Sequence, residues 1–306
     1  MRVLLNPRAG AGAAVRKLGD VRAALQKHGL EHDVVETTAP GDATRLAREA
    51  REEGVDVLAV MGGDGTLNEV VQAYVDGEGN ALGGPELAVV PAGTGGDYKR
   101  TLGLDGSVED AVSRIENGTT RAHDLGLLRL VGWNREPVTK VFLNITSFGV
   151  GGLTDKLVNQ APKWLGGKAS FFVGAARALF AYENQEVRIR VDGATFLEGR
   201  IYNVAMAIGR FFGGGMMMAP NADPADGLFD VVALGDLSKS EVLALSRHIY
   251  DGTHLGRSGI TSTRAKLVEA EPIHPRNDVL IDMDGETPGR LPIRASIVPG
   301  ALRVRC

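Results

Sequence analysis

Three short stretches in the first third of the chain combine glycine with oxygen-bearing side chains: Asn6-Pro7-Arg8-Ala9-Gly10-Ala11-Gly12, Gly62-Gly63-Asp64-Gly65-Thr66 and Pro91-Ala92-Gly93-Thr94-Gly95-Gly96-Asp97. Glycine lets backbone N–H groups come close to an anion, and a helix starting beside such a turn adds the partial positive charge of its N-terminus. The stretch from Gly62 to Thr66 therefore has the composition that a triphosphate needs, with Thr66 contributing a hydroxyl. Asp64 is out of place there unless a cation stands between its carboxylate and the phosphates, and Mg²⁺ is the simplest choice. The plainer alternative is a tight turn in which the Asp64 side chain caps the helix that follows. The stretch from Pro91 to Asp97 repeats the arrangement, with Thr94 and the Gly96-Asp97 helix start placed for further phosphate or ribose oxygens.

The same residues weigh other nucleotide chemistries. Gly10-Ala11-Gly12 falls one glycine short of the dinucleotide fingerprint, and Glu36 ends the next strand, so a Rossmann dehydrogenase is the rival reading. That rival leaves Gly62 to Thr66 unexplained. No Gly-x-x-x-x-Gly-Lys-Ser/Thr occurs, which excludes a Walker-type phosphate loop.

The apolar pattern supplies the elements that must hold these loops. A short strand at 2 to 5 precedes a helix carrying Val15, Leu18, Val21 and Leu25 and closing at Gly29. A strand from Asp33 to Thr37 leads through Pro40-Gly41-Asp42 into a helix with Ala43, Leu46, Ala47 and Ala50, closing at Gly54. The strand from Val55 to Met61 enters the second loop and a helix with Leu67, Val70, Val71, Tyr74 and Val75. The strand from Leu87 to Val90 enters the third loop and a short helix. Strand, loop and helix in repetition predict a parallel sheet covered by helices, with the loops gathered at the carboxyl ends of the strands. Near residue 125 the period changes to alternation, as in Val187, Ile189, Val191 and Val204, Met206, Ile208, which predicts a mainly β domain. The expected division is an α/β domain over 1–125 and a β domain over 126–306 whose last residues return to the first. Helices are expected at Ala169 to Tyr182 and at Ser238 to Tyr250, where Ser238 and Glu241 are spaced as a capping box. Strands near Ala265 to Val268, Val279 to Met283 and Ile293 to Ile297 complete the domain.

Composition narrows the partners. A formal charge of -4 with no basic run argues against nucleic acid. The single cysteine, Cys306, excludes an internal disulfide and a thiolate zinc site and fits a reducing, cytoplasmic compartment. The longest apolar stretch, Ala169 to Tyr182, is short and carries Arg177, so contact with a membrane is expected to be peripheral, at its inner face.

At the three loops the chain resembles a known family. Asn6-Pro7 with Gly10, Gly62-Gly63-Asp64-Gly65-Thr66 with Asn68-Glu69, and Pro91-Ala92-Gly93-Thr94 with Asp97 are similar to the signature loops of the diacylglycerol kinase catalytic-domain family, which includes bacterial diacylglycerol kinases, related lipid kinases and sphingosine kinases. Gly213-Gly214-Gly215-Met216, Ala219-Pro220-Asn221-Ala222, Asp226-Gly227-Leu228-Phe229-Asp230 and Asp284-Gly285-Glu286 extend the likeness into the second half. The resemblance implies an N-terminal α/β nucleotide domain of the NAD kinase and diacylglycerol kinase type, a C-terminal β-sandwich, and an active site in the cleft between them. It implies ATP lined by Asn6, Pro7, Arg8, Ala9, Gly10, Thr38, Gly62, Gly63, Asp64, Gly65, Thr66, Leu67, Asn68 and Glu69, with Gly93, Thr94 and Asp97 from the third loop. It implies a structural Mg²⁺ on Asp223, Asp226 and the Leu228 carbonyl, and a general base at Asp284 or Glu286, with Asp64 serving the nucleotide's metal.

The implied activity is ATP- and Mg²⁺-dependent transfer of a γ-phosphoryl group to the hydroxyl of a diacylglycerol-like lipid presented at a membrane surface; a homodimer is compatible with it. Arg8, Lys99, Arg100 and Lys168 are further phosphate partners by charge. Phe171, Phe172, Ala175, Leu179 and Tyr182, with Met216 to Met218, offer apolar surface for either an acceptor or the core. The chain departs from the family at Gly96, where Asn is usual, and at Ala9 and Ala11, where Ser and often a basic residue stand. An NAD kinase, which shares Gly-Gly-Asp-Gly followed by Asn-Glu, and a non-catalytic nucleotide-binding regulator of the same fold are the alternatives.

Overall fold

The computed structural model of the chain describes residues 1–91, 96–104, 106–160, 177–179 and 181–306. It divides into a first unit of Met1–Leu125, Pro224–Gly227 and Val298–Cys306 and a second of Gly126–Asp223 and Leu228–Ile297.

In the first unit β1 (Arg2–Leu5) is followed by a 3₁₀ turn (Ala9–Gly12) and α1 (Ala13–Lys27), then β2 (Asp33–Glu36), α2 (Asp42–Glu52), β3 (Val57–Gly62), α3 (Asp64–Val71), β4 (Glu86–Pro91), α4 (Asp97–Leu102), α5 (Val108–Asn117) and the start of β5 (Thr120–Val131). The strands run parallel in the order β2-β1-β3-β4. Val3, Leu4 and Leu5 of β1 are all buried because helices cover both faces of the sheet. Val21 and Leu25 of α1 and Val112 and Ile115 of α5 pack with Leu5, Ala59, Met61 and Val90. Each such fully buried Val or Leu contributes roughly 1.5–3 kcal/mol. Helix α2 buries Ala43, Leu46, Ala47 and Ala50, the stripe its sequence spacing predicts.

The order of these strands decides where a ligand can bind. The chain places β2 on one side of β1 and β3 on the other, so the connections leaving β1 and β3 diverge and open a crevice at their carboxyl ends. The first two glycine-rich loops are the two that leave those ends.

The second unit continues with β6 (Pro137–Phe142), β7 (Ile145–Gly149), α6 (Val150–Gln160), β8 (Gln185–Val191), β9 (Ala194–Ile201), β10 (Asn203–Ala207), β11 (Phe229–Leu234), α7 (Lys239–Tyr250), β12 (Ile260–Ala265), β13 (Leu267–Pro272), β14 (Ile281–Met283) and β15 (Arg290–Arg305). One antiparallel sheet has the order β12-β11-β10-β7-β14, and β15, β13, β8 and β9 pair in a second. Phe148, Val204, Met206 and Phe229 of the first meet Val187, Ile189, Val268 and Ile293 of the second in a sandwich core. Residues 298–306 of β15 belong to the first unit, where Val304 pairs with Leu87 and Glu86 accepts from Arg303 at 2.7 Å and Arg305 at 2.6 Å.

The α/β-plus-sandwich class matches the sequence pattern, and several elements differ from it. Helix α3 ends at Val71 rather than continuing to Val75; i→i+3 bonds at Gln72, Ala73 and Tyr74 wind it down, and Tyr74 and Val75 are buried from the turn that follows. Helices α5 and α6 are additional. The pattern 265–268 is the junction of two strands rather than one, broken at Lys266. Strand β10 is buried on both sides rather than alternating, because Ala205 and Ala207 pack under α7 while Val204 and Met206 face the sandwich. Helix α7 carries the expected capping box, with Ser238 and Glu241 reciprocally bonded. Most of the expected Ala169 to Tyr182 helix lies outside the described residues, as do Phe171, Phe172 and Ala175. Among the described residues no helix is long and apolar enough to cross a membrane.

Candidate active site

Asn6, the first residue after β1, hydrogen-bonds in three directions. Its N–H reaches the Met61 carbonyl of β3 at 3.0 Å, its Nδ2 donates to Thr66 Oγ1 at 2.8 Å, and its Oδ1 accepts the Arg8 N–H at 3.0 Å. One amide thus ties the loop after β1 to the loop after β3. Pro7 lies between Asn6 and Arg8, and Ala9 returns its N–H to the Asn6 carbonyl at 3.1 Å. Gly10, Ala11 and Gly12 follow with φ of 57°, 52° and 81°. Two of the three are glycines, for which this region is free; Ala11 carries a strain of about 1–2 kcal/mol.

The turn after β3 needs glycine for a packing reason. A Cβ on Gly62 would stand 2.5 Å from Thr66 Cβ and 2.6 Å from Thr66 Oγ1. Gly62→Ala is expected to displace Thr66, break its bond to Asn6 and cost about 1–3 kcal/mol by overpacking; thermal melting and ATP titration check it, with a lower midpoint and weaker nucleotide binding expected. Gly63 begins α3 without a side-chain cap.

Asp64 caps a helix, but not its own. Its Oδ2 accepts the Asp97 N–H at 2.8 Å, with a further bond from the Tyr98 N–H, so it holds the start of α4. Partial burial pushes its carboxyl above the usual value, and the nearby Asp97 charge pushes the same way. Asp97 in turn pairs with Arg100 at 2.6 Å, which engages that guanidinium. Gly96, just before α4, has a φ of 140°, a conformation that disfavours the Asn usual in the family and accounts for the glycine here. Gly93, Thr94 and Lys168 lie outside the described residues.

An open depression is lined by Asn6, Arg8, Thr38, Pro40 and Glu69. The Thr38 N–H and hydroxyl and the Ala39 N–H all converge on Asp42 Oδ2, at 2.7, 2.6 and 3.0 Å, and hold its carboxyl down to about 2. Glu69 Oε2 accepts from Gly41 at 3.0 Å and Ala43 at 3.2 Å. Thr38 and Glu69 therefore shape the rim through the Pro40-Gly41-Asp42 turn. Leu67 and Asn68 are buried, and Gly65 is exposed.

In the second unit, Asp284 and Gly285 form the two-residue turn of a hairpin closed by the Met283 and Glu286 backbones. Their φ of 50° and 88° are those of a type I′ turn, which Asp-Gly favours. The Asp284 carboxylate accepts three backbone N–H groups, Leu143 at 2.9 Å, Asn144 at 3.1 Å and Ile145 at 3.0 Å, and so fixes the β6–β7 connection. Glu286 is exposed on the return strand. The buried Asp282 beside it accepts from Ser147 at 3.1 Å and Gly285 at 3.0 Å.

The turn containing Asp223, Asp226 and Leu228 is held by an acid that sequence reasoning passed over. Within the first unit, buried Asp124 accepts Gly227 N–H at 2.7 Å and Gly300 N–H at 2.8 Å, and donates its own N–H to Pro224 O at 2.7 Å. Two carboxylates and a carbonyl make an all-oxygen donor set, the kind a hard cation takes. Among the described residues no group of three or more His, Cys, Asp or Glu side chains is arranged to hold a metal. The sequence signal for Asp124 is its place at the head of the run Leu125 to Leu128, that for Asp282 its place between Ile281 and Met283, and that for Asp42 only its Pro-Gly turn.

Residues 1–128 match the diacylglycerol kinase catalytic domain, and residues 144–306 match the YegS C-terminal NAD kinase beta sandwich-like domain. The chain is 31% identical to a diacylglycerol kinase of Mycobacterium tuberculosis, over 98% of this chain and 93% of that one. It is 28% identical to a diacylglycerol kinase of Bacillus subtilis, over 95% and 91%. It is 30% identical to a Stenotrophomonas maltophilia protein named "Probable lipid kinase YegS-like", over 99% and 94%. A solved diacylglycerol kinase from Bacillus anthracis str. Sterne shares the fold with a TM-score of 0.68 at 22% identity, covering 99% of this chain and 95% of that one. With both halves matched and relatives aligned over nearly its whole length, the chain belongs to the family of bacterial diacylglycerol kinases and YegS-like lipid kinases.

Proposed function

We propose that the chain transfers the γ-phosphoryl group of ATP to the hydroxyl of a diacylglycerol-like lipid, with Mg²⁺. The observation that carries this reading is the Asn6–Thr66 bond, which sets two glycine-rich turns side by side at the β1/β3 switch point. Phosphoryl transfer needs positioning and charge neutralisation more than covalent help. The loop from Asn6 to Gly10, the start of α3 and the third loop with Gly93 and Thr94 take the nucleotide, with Arg8, which lines the depression beside Asn6, and Lys99 as cations for its phosphates. Asp64 serves the nucleotide's metal as well as the start of α4. Asp223, Asp226 and the Leu228 carbonyl would hold a second, structural Mg²⁺ beside the Asp226-Gly227 turn, and the nucleotide's own Mg²⁺ would supply the neutralisation of phosphate charge.

Between the two acids of the hairpin we assign the proton acceptor to Glu286. Asp284 has three N–H donors on its oxygens and acts as a strut, while Glu286 is exposed two residues on. A carboxylate in hydrogen-bond reach of the attacking hydroxyl suffices for that role. The protein works at a membrane surface, inside the cell, through peripheral contact.

Purified protein with labelled ATP and a panel of lipids in mixed micelles tests the reading. Phosphorylation of a diacylglycerol-like lipid is expected. Phosphorylation of NAD in place of lipid, or ATP binding without turnover on any acceptor, would overturn it.

A further inference from the structure

The segment after the Asp284-Gly285 turn is held from outside the hairpin. Trp133, in the connection between β5 and β6, donates its indole Nε1–H to the Thr287 carbonyl at 3.0 Å, one residue from Glu286. The Arg290 guanidinium carbon lies 5.3 Å and the Lys156 ammonium of α6 lies 5.6 Å from the centre of the same ring. Gly289 is pressed on this connection: a Cβ there would fall 2.1 Å from the Val131 carbonyl oxygen and 3.0 Å from Gly132 Cα. Among the described residues, Thr287 Oγ1 and Arg290 Nε are buried without hydrogen-bond partners, while Arg290 Nη1 pairs with Asp278 at 2.5 Å.

A tryptophan used as core would bury its ring. Trp133 is 45% exposed, yet its one polar atom is committed to a backbone carbonyl next to Glu286. Two cations over a half-exposed ring are drawn to its face and favour this orientation of it. Lys156 and Arg290 come from different elements, so the ring links α6 and the hairpin return at one point.

We propose that Trp133 is a positioning residue for Glu286: its indole N–H and the Lys156–Trp133–Arg290 stack set the path of residues 286–290 and thereby the reach of the Glu286 carboxylate to the acceptor hydroxyl. The inference rests on the reading of Glu286 as proton acceptor. A carboxylate that must meet a hydroxyl within hydrogen-bond distance is sensitive to displacements well under 1 Å.

Trp133→Phe keeps a ring for the cations and removes the N–H donor, and Lys156→Gln removes one cation and leaves the bond. The expected result for Trp133→Phe is a kcat lower by on the order of tenfold, an unchanged KM for ATP, an unchanged melting midpoint and a displaced acid limb of the kcat–pH profile. Lys156→Gln is expected to move the same two readouts in the same direction by less. In a Glu286→Gln background, with residual turnover followed by labelled ATP, Trp133→Phe is expected to cause no further loss. A Trp133→Phe enzyme with wild-type kcat and an unmoved limb overturns the inference while leaving Glu286 in place. An equal loss in both backgrounds also overturns it, since Trp133 would then act without Glu286. Full turnover by Glu286→Gln alone overturns the assignment of the base, a result read independently of Trp133.

Discussion

Glu286→Gln lowers lipid phosphorylation by about 10²–10⁴-fold while ATP binding and the melting midpoint stay at the wild-type values. The amide matches the carboxylate in size and cannot accept the hydroxyl proton. Glu286 is exposed, and the hairpin it follows is closed by backbone bonds between Met283 and Glu286, which the substitution does not touch. Asp284→Ala is expected to look different. It strips the acceptors from the N–H groups of Leu143, Asn144 and Ile145, and each buried donor left unpaired costs about 1–3 kcal/mol. Activity is lost there together with thermal stability, and calorimetric melting beside turnover separates the strut from the base.

Asp64→Asn is the second large effect. Transfer falls by on the order of 10²–10³-fold, the scale of removing one preorganised charge-stabilising group, and the fold remains. The argument lies in what Asn keeps and loses. Its Oδ1 can still accept the Asp97 N–H that begins α4, so the tie between the second and third loops survives. Its charge is gone, and with it the attraction for the nucleotide's Mg²⁺. The sign of the stability change follows from the raised Asp64 carboxyl. A folded value above the unfolded one means that the folded protein binds the proton more readily, so the ligand-free protein gains stability as pH falls through the raised folded value. Removing the charge outright has the same sense. Asp64→Asn is therefore expected to melt no lower than wild type at neutral pH, and titration calorimetry with ATP and Mg²⁺ is expected to show weakened metal-dependent binding.

The parallel strands β1, β3 and β4 were legible in the sequence because each carries a continuous apolar run and leads into a glycine-bearing turn, and β2 because it leads into the Pro40-Gly41-Asp42 turn. Helix α7 was legible from Ser238 and Glu241. Helix α5 was passed over although Ser107 and Asp110 form the same capping box and Ala111, Val112 and Ile115 lie on one face. Helix α6 was harder, since Gly151 and Gly152 at its start argue against a helix by propensity. They are there because a Cβ on Gly152 would strike the Leu280 backbone carbonyl carbon at 2.5 Å, a contact no local pattern reveals. The candidate site divides the same way. Asn6, Gly62 and Thr66 could be picked out by type, and the structure brings them together. Asp64 could be read as a metal partner or as a cap of its own helix, and the structure makes it the cap of a helix that begins 33 residues later. Asp284 could be read as a turn former or as a base; it forms the turn before Gly285, and its carboxylate also holds a connection about 140 residues earlier. Partners this distant in sequence leave no periodic trace.

The most direct test measures labelled phosphate transfer from ATP to diacylglycerol in mixed micelles, with wild-type protein and Glu286→Gln side by side. Lipid-dependent transfer by the wild type, Mg²⁺-dependent and reduced at least a hundredfold in the variant without loss of ATP binding, is the result predicted. Transfer to diacylglycerol that is equal in the two proteins, or no transfer by the wild type to any lipid, would contradict the account.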